Sequence, residues 1–134
     1  MKKAYVLLNH QLTENQIEEL KKYYNCSDII YPDQNLVANW SGIAATKELD
    51  LKVLVAVISW LEQANKEDVL VVQGEFGSTF YVVDYALKNG LVPVHAVTQG
   101  IAEESREGEV VTKKYVFQHC CFREYRYYSS EDEN

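Results

Sequence analysis

Two stretches of this 134-residue chain hold residue types and spacings that could do chemistry: Asn9-His10-Gln11, and Asp68 to Phe80. Histidine is the side-chain type that exchanges protons near neutral pH, so His10 is a candidate general acid or base; a histidine at a strand end is as readily satisfied by a backbone carbonyl. The second stretch reads Asp-Val-Leu-Val-Val-Gln-Gly-Glu-Phe-Gly-Ser-Thr-Phe. Its apolar run Val69 to Val72 fits a strand buried on both faces of a parallel sheet. Gly74 and Gly77 give a backbone that can adopt positive φ and approach a ligand closely, with Ser78-Thr79 leading into an amphipathic helix over Phe80 to Asn89. A strand, a glycine loop and a helix start aim free N–H groups and a positive dipole end at one point, which suits an anion. A plain strand-to-helix turn would use the same glycines. Glu75 is a base, a ribose-hydroxyl acceptor or an exposed turn carboxylate. Two phosphate-binding motifs are excluded by spacing, since only Glu75 and Phe76 separate the glycines, no Lys follows, and Val72 stands where a dinucleotide fingerprint needs glycine.

The elements that must position these residues follow from local signals. Ala4 to Leu8 reads as a first strand. Thr13 has the marks of an N-cap, with Gln16 completing a capping box and Leu12 and Ile17 placed as a hydrophobic staple. Ile17, Leu20 and Tyr24 continue the apolar face of that helix. Asp28 to Tyr31 is a short second strand stopped by Pro32-Asp33. Asn35 to Thr46 reads as irregular or loosely helical, with Trp40 as a core plug. Leu51 to Leu61 is apolar almost all round, and the crossover that a parallel sheet requires makes it a helix. Phe80, Val83 and Leu87 mark the next helix, with Gly90 as its C′ residue. Val92 to Thr98 is a fourth strand. Arg106-Glu107-Gly108 signals a turn, after which Glu109 to Tyr125 alternates as a long antiparallel strand. On that alternation His119 and Arg123 share a face.

Repeated β-α units predict a three-layer, Rossmann-like α/β domain over residues 1–126, mostly parallel with a C-terminal antiparallel strand or hairpin, and an acidic, disordered tail over 127–134. In strand order 2-1-3-4 the ligand crevice lies between the first and third strands, which sets Asn9-His10-Gln11 beside Gln73 to Thr79.

Net charge is −7, which argues against general binding of DNA or RNA. No apolar run is long enough for a membrane span, and Met1-Lys2-Lys3 runs straight into a strand, so a cytoplasmic protein is expected. Cys26, Cys120 and Cys121 are odd in number and badly spaced for metal, and are read as buried thiols. The isolated histidines His10, His95 and His119 offer no metal constellation, and no cofactor is expected.

Four segments together carry a resemblance that covers nearly the whole chain in order. They are Leu7-Leu8-Asn9-His10-Gln11-Leu12-Thr13, the region of Trp40-Ser41, Val71 to Thr79, and Val116-Phe117-Gln118-His119 with Phe122-Arg123-Glu124-Tyr125. In these the chain resembles the small CRISPR-associated Csx family numbered twenty, which is similar to the ring nucleases of type III CRISPR systems. Where that family commonly has Asp in the glycine loop, this chain has Glu75. The resemblance implies a CARF-like domain that binds a cyclic oligoadenylate, most often cyclic tetra-adenylate, and cleaves it without metal by attack of the ribose 2′-hydroxyl. The residues read as candidate catalytic groups are His10, Glu75 and Arg123, and those read as ligand-binding are Asn9, Gln11, Gln73, Gly74, Phe76, Gly77, Ser78, Thr79, Thr98 and His119. A two-fold homodimer would match the symmetry of the ring. A cyclic oligoadenylate sensor that does not cut, and a generic nucleotide- or phosphate-binding protein, are the alternatives.

Overall fold

The computed structural model of the chain describes residues 1–133. Strand β1 (Lys2–Leu7) leads to helix α1 (Glu14–Tyr23) and strand β2 (Cys26–Ile30). Helices α2 (Gln34–Ser41) and α3 (Leu51–Leu61) cross to strand β3 (Val69–Val72), and helix α4 (Phe76–Lys88) to strand β4 (Val92–Glu107). Strand β5 (Val110–Glu124) returns against β4. The sheet order is β2-β1-β3-β4-β5, parallel except for the last pair. This is the expected three-layer Rossmann-like α/β arrangement.

Period-two burial explains how one sheet serves two cores. Tyr5, Leu7, Leu70 and Val72 point to the side of α2, α3 and α4, where Trp40, Leu54, Val57, Leu61 and Val82 pack. Ala4, Val6, Val69, Val71, Val94 and Phe122 point to the other side, against Leu12, Leu20 and Ile17 of the α1 region. All four residues of β3 are buried, as a strand covered on both faces must be.

The caps set the helix boundaries. Thr13 and Gln16 form the capping box, with Gln16 N donating to Thr13 Oγ1 at 3.3 Å and Thr13 N to Gln16 Oε1 at 3.0 Å. The segment expected to be irregular or loosely helical after Pro32 is the regular helix α2 as far as Ser41 and irregular beyond it; Asp33 caps the helix by accepting from the Leu36 N–H at 2.8 Å. At the end of α4, Gly90 takes φ +77°, and the Leu91 N–H reaches the Ala86 carbonyl at 2.9 Å, which closes a Schellman-type cap. Helix α4 itself begins at Phe76, earlier than the glycine loop suggests, and its buried residues are Ser78, Val82, Val83 and Ala86. Phe80, expected on the buried face, is 76% exposed.

Only Cys26 of the three thiols is buried, and burial pushes its thiol up; Cys120 and Cys121 are exposed. Strand β4 runs far past its expected end, so β4 and β5 leave the sheet together as a two-stranded arm that turns at Gly108-Glu109. Gly108 holds φ +62°, the conformation for which the turn uses glycine. The tail expected to be disordered closes in a 3-10 helix, Ser130–Glu133, and Arg126 meets Asp132 at 2.8 Å. Asn134 lies outside the described residues.

Asp68, at the entry to β3, is buried and accepts from the backbone N–H groups of Lys3 (3.0 Å) and Asn65 (2.9 Å). It ties the start of β3 to that of β1. Asp68→Ala leaves both donors without their acceptor and is expected to lower stability by about 1–3 kcal/mol, read from urea unfolding midpoints.

Candidate functional site

Strand β1 passes to β2 on one side, and β3 passes to β4 on the other. The winding therefore reverses between β1 and β3, and a crevice opens at their carboxyl ends. It holds about 400 Å³, with Asn9 and His10 on one wall, Gln73, Gly74 and Glu75 on the other, and Trp40-Ser41 from the end of α2. Two polar loops from opposite halves of the chain meet here, as the strand order predicts. His10 is exposed, and its Nδ1 lies 2.9 Å from the Gln11 carbonyl. A carbonyl only accepts, so Nδ1 carries a proton and Nε2 is the ring nitrogen left to take one from a ligand. Gln11 contributes its backbone carbonyl; its side chain is not among the groups that line the crevice.

The far wall is held from three directions. Trp40 Nε1 donates to the Gln73 carbonyl at 3.1 Å, the Ala96 N–H donates to Gln73 Oε1 at 2.9 Å, and Tyr125 Oη donates to the Val72 carbonyl at 2.8 Å. Burial raises the pKa of Tyr125, so its hydroxyl keeps the proton it donates. Gly74 is needed because of Trp40: a Cβ there would stand 2.7 Å from the indole nitrogen.

The glycine loop is not an open anion cradle. Neither Gly74 nor Gly77 takes a positive φ, and Gly77 lies inside the first turn of α4. Glu75 is the N-cap. Its carboxylate accepts from Gly77 N (2.8 Å), Ser78 N (3.0 Å) and Ser78 Oγ (2.8 Å). The donors expected to meet a phosphate already meet this side chain. The same bonds, first that of the Gly77 N–H, hold the Glu75 carboxyl below the usual carboxylate range. Both carboxylate oxygens are thus engaged in capping the start of α4. Ser78 is fully buried, and Thr79 keeps a buried Oγ1 with no hydrogen-bond partner.

Three expected site residues stand elsewhere. The β4–β5 register steps from Val97↔Cys121 to Thr98↔His119, so Cys120 is an extra residue and the strand's facing reverses there. His119 and Arg123, predicted on one face, thus lie on opposite faces. His119 turns toward α1, with Nε2 2.7 Å from Glu19 Oε1 and its ring 4.9 Å from that of Phe122. Arg123 pairs with His95 in the sheet, is exposed, and does not line the crevice. Thr98 sits at the bulge, exposed at the base of the arm.

A second cavity, about 490 Å³, shares Gln73 and Gly74 with the first and lies between α4 and residues 125–128. Phe76 (92% exposed), Phe80, Tyr127 and Tyr128 give it an aromatic lining, with Thr79 beside them. The sequence reading passed over Phe80, Tyr127 and Tyr128. The signal was the run Tyr125-Arg126-Tyr127-Tyr128, whose last two residues fell in the segment assigned to the tail. Among the described residues no group of three or more His, Cys, Asp or Glu is placed to hold a metal ion.

The model of a protein family described as "Uncharacterized protein MJ1673 family" matches residues 2–123. The chain belongs to the MJ1673 family. A Methanocaldococcus jannaschii protein, "Uncharacterized protein MJ1673", is 32% identical over 130 residues, 96% of this chain and 100% of that relative. No solved structure matches the chain. The matched span of the MJ1673 family runs from β1 to the residues of β5 beyond the bulge, and so takes in both walls of the crevice and the arm.

Two predictions follow from the far wall. Gly74→Ala forces a methyl into the buried indole and is expected to lower stability by about 1–3 kcal/mol. Gly77→Ala meets the end of Leu49 at 3.2 Å and the Glu75 carboxylate oxygens at an ordinary 3.6 Å, in a helical turn, and should stay within about 1 kcal/mol of the parent in the same urea measurement. The second concerns pH. The folded pKa of Glu75 lies below its unfolded value, so its contribution is complete above the unfolded value and is lost as pH falls through the folded one. The stability gap between the parent and Glu75→Gln should therefore be widest near neutral pH and close below about pH 4.

Proposed function

We propose that this protein is a ring nuclease with a CARF-like fold, which binds a cyclic oligoadenylate, cyclic tetra-adenylate first among them, and opens it at a phosphodiester. The observation that carries the reading is convergence: three of the four segments behind the resemblance, those around His10, Trp40-Ser41 and Gln73 to Glu75, meet in one crevice. The proposed setting is the cytoplasm, and the proposed role is to switch off type III CRISPR signalling.

In this reading His10 Nε2 takes the proton of a ribose 2′-hydroxyl. The 2′-oxygen attacks the adjacent phosphorus in line, the bond from phosphorus to the 5′-oxygen breaks, and that oxygen leaves with the electron pair and gains a proton. The product is linear and ends in a 2′,3′-cyclic phosphate. Positioning by Asn9 and by the backbone around Gln73-Gly74 supplies the alignment, and no metal is called on. Phe76 and Phe80, with Tyr127 and Tyr128, offer faces on which adenines stack beyond the shared Gln73-Gly74 wall. Glu75 serves as a cap in this scheme, and Arg123 and His119 have no direct part.

The test is product chromatography after incubation with cyclic tri-, tetra- and hexa-adenylate in EDTA. Cleavage of cyclic tetra-adenylate is expected. Tight binding without turnover would move the assignment to a non-cutting sensor, and neither binding nor turnover would end both. His10→Ala should lower single-turnover cleavage by about 10²-fold or more while affinity stays within a few-fold. Parental cleavage by that variant would mean that His10 transfers no proton.

A further inference from the structure

Two cavities share Gln73 and Gly74, and they differ in charge. Among the described residues that line the crevice beside His10 there is no Lys and no Arg, and the start of α4 at its edge is filled by Glu75. A phosphate seated there would meet polar groups and a carboxylate. The aromatic cavity next to it does hold one cation, Arg126, in the same run that supplies Tyr127 and Tyr128. The other charged residue of that lining, Asp84, is neutralised within α4 by Lys88, one turn further on, at 2.9 Å.

Arg126 is neutralised too, but by a different kind of partner. Its Nη2 donates to Asp132 Oδ1 at 2.8 Å, and Asp132 belongs to the short 3-10 helix near the end of the chain, outside the lining of the cavity. Both side chains are open to solvent, 68% and 43% exposed. An ion pair so exposed adds little to stability, because water and salt screen it and two side chains must be ordered to make it. A better acceptor can therefore take the guanidinium over. Phosphate is one, since it offers two oxygens to the guanidinium fork where Asp132 makes a single contact.

The rest of the cavity suits what such a phosphate would be attached to. Phe76, Phe80, Tyr127 and Tyr128 are between 53% and 92% exposed around a volume of about 490 Å³, a size that encloses a small ligand. Aromatic faces open to water beside a single guanidinium are the parts with which proteins hold a base and its phosphate.

We propose that Arg126 is the phosphate-binding residue of the aromatic cavity, and that Asp132 occupies its place until a nucleotide displaces it. That the nucleotide is a cyclic oligoadenylate rests on the function proposed above; the exchange at Arg126 does not. With the reacting phosphodiester at His10, the shared wall at Gln73-Gly74 leads the next adenosine into the aromatic cavity and its phosphate to the guanidinium. Asp132 is then an internal competitor, and it lowers the fraction of molecules ready to bind.

The test is calorimetric titration of the full chain and its variants with cyclic tetra-adenylate and, separately, with adenosine monophosphate. Arg126→Ala should weaken both by about tenfold or more, and Arg126→Lys should recover part of the loss. Asp132→Asn should tighten both by about two- to fivefold, and should change nothing once Arg126 is Ala. Neither variant should move the urea midpoint appreciably. A purely structural ion pair would give the reverse, a lower midpoint with unchanged affinity, and would overturn the proposal. So would a gain from Asp132→Asn that persists without Arg126, since Asp132 would then act only through net charge. If no ring binds while adenosine monophosphate does so through Arg126, the ring nuclease reading fails and the nucleotide site stands. If Arg126→Ala binds and cuts the ring with parental affinity, that reading stands and this one falls. Binding of neither ligand would end both.

Discussion

The indole of Trp40 lies against the backbone at Gly74, and the geometry of the site depends on that contact. The ring is almost wholly buried, it leaves no room for a Cβ, and its N–H takes up the carbonyl of Gln73. From Gln73 the constraint passes to β4 through Ala96, and Tyr125 holds the preceding carbonyl. Two of these bonds satisfy the carbonyls of Val72 and Gln73 where β3 ends, groups that would otherwise lack a partner. The result is a wall fixed by α2, β4 and the chain after β5 at once. One tryptophan thus couples a helix that lines the crevice to a loop that shapes it, which explains why Trp40-Ser41 and Gln73-Gly74 occur together in the chain.

A glycine-flanked strand-to-helix junction invites an anion, and here the chain supplies its own. Glu75 reaches forward two and three residues, and its carboxylate occupies the position a phosphate would take at the start of α4. The dipole of the helix and three hydrogen bonds hold that carboxylate ionised, in a protein whose net charge is already −7. Positive charge at the crevice must then come from outside its walls. In its absence an anionic ligand would depend on neutral donors and aromatic faces, which align a ligand well but do little to offset charge that develops on a phosphoryl oxygen.

Much of the fold was legible because its signals are local. Thr13 with Gln16, Gly90 after Leu87, and the unbroken apolar run of β3 each name their own structure, and the run of β-α units pointed to a fold whose common strand order, 2-1-3-4, places the crevice where it is found. What was missed depends on partners that lie far away or on small shifts. Glutamate is not a favoured N-cap, so the start of α4 was read at Ser78-Thr79, and only the folded chain shows that Glu75 curls back on Gly77 and Ser78. The bulge at Cys120 has no sequence signature, yet one unpaired residue reverses every side chain before it and separates His119 from Arg123. Asp33, three residues before Leu36, was the available sign of α2 and was read as a stop.

The two walls of the crevice are unequal, and this bears on where chemistry can sit. The β3 wall is cross-braced, whereas the Asn9-His10 wall has its ring bond within its own loop and takes its position from β1. That position is set by the parallel register Ala4↔Val69 to Leu7↔Val72, continued by the bond of the Gln73 N–H to the Leu7 carbonyl at 3.3 Å. Both strands are buried on both faces, so a slip of one residue would turn each apolar side chain into the wrong core. The sheet therefore fixes the distance between His10 and the braced wall. His10 itself is exposed, with its Nδ1 held by the Gln11 carbonyl. A braced wall opposite an exposed histidine is the division of labour that the proposed in-line chemistry on a phosphodiester would use.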